Sequence, residues 1–194
     1  MNYLAHAYLS FNDPEILVGN MISDYVKGRK KFSFRLRIQD GINLHRAIDS
    51  FTDTHAIVKE AKQMFRADYR LYAGAFVDVS FDHFLATDRN SFDDAGLMRF
   101  SKECYHYLEN YIEETPEQFQ KLFPYMKKQN WLYNYQFHPA MKNSFDGLKH
   151  RAAYIKETET AFAIFESNYS ALEKYYHDFF PELKSFCEEQ FRQL

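Results

Sequence analysis

A chain of 194 residues, 46% apolar and 26% charged, can bury a sizeable core and is neither disordered nor fibrous in composition. Its formal charge of −3 excludes general affinity for nucleic acid, and no run approaches the ~20 apolar residues that span a bilayer. Cys104 and Cys187 lie too far apart for a metal-binding pair and predict idle thiols in a reducing compartment. The opening residues Met1 to His6 carry no basic leader, so the expected location is cytoplasmic.

Aromatic residues make up 19% of the chain, which predicts a bulky helical core. The first short apolar segment, Tyr3 to Leu9, contains His6. Asp13-Pro14-Glu15 then reads as a helix start, with aspartate as cap and proline in the first turn. That helix is expected to reach about Lys27, where Gly28 and a basic cluster interrupt it. A second helix runs from Ser33 or Phe34 to about Asp53, with an inward stripe of Ile38, Gly41 or Ile42, His45, Ile48 or Asp49, and Thr52. A third covers about Ile57 to Arg66 and a fourth about Tyr72 to Ala86. The fourth is apolar on nearly every face, which predicts a place in the middle of a bundle. Beyond Phe92 come amphipathic runs that restart at Thr115-Pro116-Glu117 and His138-Pro139. The last stretch, Glu157 to Leu194, reads as two helices broken near Pro181. No strand-like alternation, repeat or linker interrupts this pattern. The expected fold is an all-α bundle of about eight helices, forming a single domain over residues 1–194.

Polar residues in apolar places carry the functional signal. Buried carboxylates are costly unless something satisfies their charge, and a metal ion does so when histidine is nearby. His45, Asp49 and Asp53 are spaced by four, so they follow one another on one helix face, with Arg46 beside them. Asp78 and Asp82 lie one turn apart in the apolar fourth helix, followed by His83. Asn20 and Asp24 are one turn apart near the end of the first long helix. A carboxylate-rich set with some histidine suits Mn²⁺, Mg²⁺ or Fe²⁺ better than structural zinc. The competing structural readings are a surface ion pair for His45–Asp49 and a buried charge pair between Asp82 and Arg46. His55, His106, His138, His150 and His177 have no such company and read as surface or structural residues. Lys27, Arg29, Lys30, Lys31, Arg35 and Arg37 fall within eleven residues free of acid, in a chain otherwise acidic. Such a patch steers an anionic partner to one spot.

Four ordered motifs together resemble the acyl carrier protein phosphodiesterase family. They are Asn2-x-Leu4-Ala5-His6, Gly19-Asn20-x-x-x-Asp24, Gly41-x-x-x-His45-Arg46-x-Ile48-Asp49-x-x-Thr52-Asp53 and Asp78-x-x-x-Asp82-His83-Phe84-Leu85. The resemblance implies an enzyme that hydrolyses the phosphodiester between 4′-phosphopantetheine and a serine of holo acyl carrier protein. It also implies a helical fold distantly similar to the HD-type metal phosphohydrolases and a divalent ion, typically Mn²⁺. The His-Asp doublet of that superfamily is absent in order: Asp82-His83 is reversed and His45 is followed by Arg46. On this reading His6, Asp24, His45 and Asp82 are the expected metal ligands. Asp49, Asp78 and His83 would orient ligands or act as base, and Arg46 would stabilise the transition state. Acyl carrier proteins are small and acidic, so the segment Lys27 to Arg37 is the expected docking surface. A small phosphodiester such as a nucleotide is the alternative substrate, and an all-α scaffold without activity is the alternative of another class.

Overall fold

The computed structural model describes residues 1–93, 95–149 and 155–194, so His150 lies outside the described residues. The described residues form eleven α-helices and no strand. The first six helices are α1 (Tyr3–Tyr8), α2 (Pro14–Ile22), α3 (Leu36–Thr54), α4 (Ala56–Tyr69), α5 (Ala73–Thr87) and α6 (Gly96–Asn110). The remainder are α7 (Glu117–Lys128), α8 (Trp131–Asn134), α9 (His138–Lys149), α10 (Glu159–Ser167) and α11 (Tyr169–Phe191). The all-α expectation holds, and the surplus over eight includes short pieces such as α1 and α8.

Local chemistry accounts for where these helices start and stop. The Asp13 carboxylate accepts the amide hydrogens of Glu15 and Ile16 at 3.1 and 3.0 Å, capping α2 as the Asp-Pro-Glu signature predicts. That helix ends five residues earlier than expected, at Ile22, and tightens into a 3₁₀ turn over Ser23–Tyr25. A second 3₁₀ segment, Gly28–Ser33, carries the basic cluster, with Gly28 at φ +56°. The chain break in the C-terminal region also differs from the expectation: it falls at Asn168, and Pro181 sits inside α11. Pro181 is on the solvent side, where water can take the carbonyl that its ring leaves unpaired. Burial of Tyr176, Phe179, Phe180, Leu183 and Cys187 on the opposite side carries the helix through.

The core runs from α1 to α11, with α5 at its centre. Phe76, Val77, Val79, Phe81, Phe84 and Leu85 are all buried there, and α5 packs against α1, α4, α9 and α11. Both cysteines are buried free thiols, and burial pushes Cys187 up to about 12. Among the described residues, no helix is long and apolar enough to cross a membrane.

The most intimate contact is the crossing of α2 and α3. A β-carbon on Gly19 would stand 2.1 Å from the Ile38 carbonyl oxygen, and one on Gly41 would stand 2.3 Å from that of Ile16. Only a bare Cα at each position lets the two backbones come this close. The two motifs Gly19-Asn20-x-x-x-Asp24 and Gly41-x-x-x-His45 are thereby brought together.

Candidate metal centre and active site

Asn20, buried at the α2–α3 crossing, orients two histidines at once. Its side-chain oxygen lies 2.8 Å from His6 Nδ1, while its own Nδ2 donates to the His6 carbonyl at 2.9 Å and to Ser10 Oγ at 3.1 Å. Its backbone carbonyl lies 2.7 Å from His45 Nδ1. Both oxygens can only accept, so each histidine places a proton on Nδ1 and turns Nε2 toward the same point. The rings stack at 3.9 Å between centroids, 13° from parallel. Both Nε2 atoms are buried and neither makes a hydrogen bond.

Carboxylates surround that point. Asp49 brings Oδ1 to 3.3 Å from His6 Nε2 and Oδ2 to 3.1 Å from His45 Nε2. Asp24 Oδ1 lies 3.3 Å from His45 Nε2. His6, His45 and Asp49 each offer a donor atom within 4.8 Å of the others, a spacing that fits one shared cation. The site opens into a cavity of about 230 Å³. Its lining includes Asp24, His45, Asp49, Thr52 and Asp78. Thr52, buried on the stripe of α3 two turns after His45, contributes a hydroxyl without a hydrogen-bond partner. Unsatisfied buried nitrogens with their far sides pinned, set against carboxylates, are the donor set of a divalent-ion site.

Electrostatics in the metal-free chain agree. Burial works against a charge on His45, yet Asp24 and Asp49 outweigh it and raise its pKa to about 9. Burial and then the neighbouring His45 charge lower His6 to about 4. Burial also opposes ionisation of Asp49, but the two histidines hold it well below the ordinary carboxylate range. His45 likewise lowers Asp24.

Asp78 reaches this cavity through the Met1 amino group, which it holds at 3.1 Å and which stands 3.8 Å from Asp49 Oδ1. Arg46 is exposed on the same helix as His45 and donates to the Val26 carbonyl at 3.1 Å, so it forms no pair with Asp82. Asp53 points outward to Lys62 at 2.7 Å.

Asp82, expected as a metal ligand, and His83, expected to orient ligands or act as base, are engaged elsewhere. Asp82 accepts the amides of Leu4 at 2.7 Å, Ala5 at 3.2 Å and Asn2 at 3.4 Å, capping α1 from α5. Burial raises its pKa to about 7 against the pull of those amides. A carboxylate committed to three orphan amides has little left for a cation, and its work here is to seat α1 so that His6 meets His45. His83 follows Asp82 by one residue, about 100° round the helix, and so faces another way. Its Nδ1 lies 2.7 Å from the Tyr135 carbonyl and its Nε2 2.9 Å from Tyr169 Oη. Burial lowers it to about 4. Of the other histidines, His106, His138 and His177 are exposed and His55 is half-buried beside Glu182 at 3.3 Å.

Asn20, Thr52 and Asn2 were not singled out for roles by the sequence. Asn20 and Thr52 sit inside the motifs, but nothing in spacing alone says that one residue serves two rings, through its carboxamide for His6 and its backbone carbonyl for His45.

The basic cluster divides in two. Arg35 pairs with Glu15 and Glu114, at 3.2 and 2.8 Å, and Arg37 pairs with Asp13 at 2.8 Å. Lys31 bonds Asn43 at 2.9 Å. Lys27, Arg29 and Lys30 are exposed and have no ion pair among the described residues. Phe32 and Leu36, 62% and 79% exposed, lie in the same stretch.

Comparison with known proteins bears on this site. The family model described as acyl carrier protein phosphodiesterase matches residues 1–183. A protein named acyl carrier protein phosphodiesterase from Yersinia enterocolitica is 31% identical over 98% of this chain and 99% of its own length. One of the same name from Yersinia pestis is 32% identical over 94% of this chain and 95% of its own. Another from Photorhabdus laumondii is 28% identical over 98% and 96%. No solved structure matches the chain. With three of the motifs folded around one cluster, the fourth seating α1 beside it, and the match extending into α11, the chain belongs to the acyl carrier protein phosphodiesterase family.

Proposed function

We propose that this protein hydrolyses the phosphodiester joining 4′-phosphopantetheine to a serine of holo acyl carrier protein, releasing apo carrier and 4′-phosphopantetheine. The observation that carries the reading is the pair of stacked histidines whose two Nε2 atoms, neither of them hydrogen-bonded, converge on Asp49. His6, His45 and Asp49 would hold a divalent ion, Mn²⁺ being the one proposed, with Asp24 as a further donor. When bound, such an ion offsets charge on the phosphoryl oxygens and makes water a competent nucleophile near neutral pH. The proton that His45 retains in the metal-free chain must leave for it to ligate. Thr52 offers a hydroxyl to a phosphoryl oxygen in the same cavity. Asp78 and the Met1 amine keep a charge pair at its rim. Arg46, one residue from His45 and bonded to the chain just before the basic segment, is placed to meet an arriving phosphate.

Docking is assigned to Lys27, Arg29 and Lys30, the basic residues left unpaired, with Phe32 and Leu36 as apolar contacts for a small acidic partner. Arg35 and Arg37 contribute by holding the segment through their ion pairs. Reversing Lys27 and Lys30 to glutamate should raise KM for holo carrier with metal content unchanged. Unaltered KM would remove the docking assignment.

The direct test is the intact mass of holo carrier protein after incubation with this protein and Mn²⁺. Loss of the phosphopantetheine mass, abolished by chelator and by His45→Ala and Asp49→Asn, is the expected result. Loss that persists in both variants would place the chemistry elsewhere.

A further inference from the structure

A second and larger cavity adjoins the metal centre and has a different chemical character. Its volume is about 440 Å³, within the range of small-molecule sites. The carboxamides of Asn2, Gln129, Asn134 and Asn143 line it, together with the Trp131 ring, and Lys128 is the one charged lining residue among the described residues. The neighbouring cavity, by contrast, is lined by Asp24, Asp49, Asp53 and Asp78. Asn2 belongs to both linings, and Gly147 of one is followed in sequence by Leu148 of the other.

The lining is built. Asn2 donates from Nδ2 to Tyr135 Oη at 2.8 Å, Asn134 from Nδ2 to the Gln129 carbonyl at 2.7 Å, and Trp131 from Nε1 to Gln129 Oε1 at 2.8 Å. Each carboxamide carries both donors and acceptors, so a set of four suits a ligand that is itself a chain of amides. Among the described residues, a β-carbon on Gly147 would meet nothing within 4 Å, which leaves space for a guest on this side of α9.

We propose that this cavity holds the pantetheine arm of the substrate while the phosphate lies at the metal centre. The inference rests on the phosphodiesterase reading above. The arm is uncharged and carries two amides, a hydroxyl and a geminal dimethyl group, which the carboxamides and the Trp131 face complement. The metal cavity, at about 230 Å³ and lined with acids, would take the phosphate end only through a cation held by His6, His45 and Asp49, and it offers no comparable surface for amides. The join at Asn2 lets one extended chain occupy both.

Trp131 is the sole tryptophan of the chain, so its emission reports on this cavity alone. Titration of the full protein with free pantetheine should change that emission saturably. Gly147→Phe, which projects a ring into the open space, should abolish the response and raise KM for holo carrier at least about tenfold. Its melting temperature and Mn²⁺ content should match those of the parent. Asn143→Ala, at an exposed helix position, should weaken the response without loss of fold. No response in the parent chain, or equal pantetheine affinity in Gly147→Phe and Asn143→Ala, would overturn the assignment. A parent chain that cleaves holo carrier but ignores pantetheine would refute the cavity and keep the activity. One that binds pantetheine but leaves holo carrier intact would refute the activity and keep the cavity.

Discussion

Asn20 shows how much one neutral residue can decide. Its side-chain oxygen accepts from His6 Nδ1 and its backbone carbonyl from His45 Nδ1, so both rings turn Nε2 to one point without a search among orientations. Asn20→Ala should lower Mn²⁺ affinity by about 10–100-fold, the usual cost of losing an orienting partner, as measured by metal titration. Equal affinity would mean that the rings orient themselves. His83 is a contrasting case, buried and bonded on both nitrogens to neutral partners. It is held at about 4, below the ordinary 6.5 of the unfolded chain, because burial disfavours its charge. As pH falls, the unfolded chain takes this proton first, so the contribution is intact above about 6.5 and is lost progressively down to about 4. The integrated loss is about 3 kcal/mol. Denaturant unfolding across that window should therefore fall more steeply for the parent than for His83→Gln, and parallel slopes would contradict the assignment.

At the scale of elements, the glycines separate by what faces them. Gly19 and Gly41 let α2 and α3 touch backbone to backbone, and that contact sets the distance from Asn20 to His45. Alanine at either should destabilise by about 1–3 kcal/mol or more, because the atoms it would strike are backbone and cannot swing aside. Metal affinity should fall with it. Gly147 has open space instead, so Gly147→Ala should stabilise the helix by about 0.5–1 kcal/mol. Thermal unfolding of the three variants gives opposite signs if this account holds. The α1–α5 contact works by capping: Asp82 trades its charge for the amides of α1, which ties the segment carrying His6 to the central helix.

At the scale of the molecule, α1 and α3 supply the cation cluster, α2 orients its histidines through Asn20, and α5 seats α1. A ligand that binds only the assembled cluster must stabilise the whole fold. Mn²⁺ at a hundred times its dissociation constant should add about 2.7 kcal/mol to the stability of the parent chain. The increment should vanish in His45→Ala. A shift of equal size in that variant would point to a different metal site. Lys27 follows the 3₁₀ turn that holds Asp24, and Arg29 and Lys30 lie in the next one, so a partner that these cations attract arrives beside the metal cavity.

By itself the sequence determined the helical class, because its apolar spacing, scarce glycine and proline and Asp-Pro-Glu cap are local properties that survive in any packing. It also determined which polar residues are out of place, since His45, Asp49, Asp78 and Asp82 stand on faces that periodicity marks as inward. Only the tertiary structure decided what satisfies each of them. Asp82 and His83 are adjacent in sequence, yet one caps α1 and the other bonds Tyr135 and Tyr169. Arg35 and Arg37 look like their neighbours Lys27 and Lys30 until the acids of α2 and the chain before α7 are folded against them. The physical reason is the same in each case. A helix's periodicity states that a side chain is buried, whereas its partner comes from a segment tens of residues away, at a distance set by helix crossings such as Gly19 on Gly41.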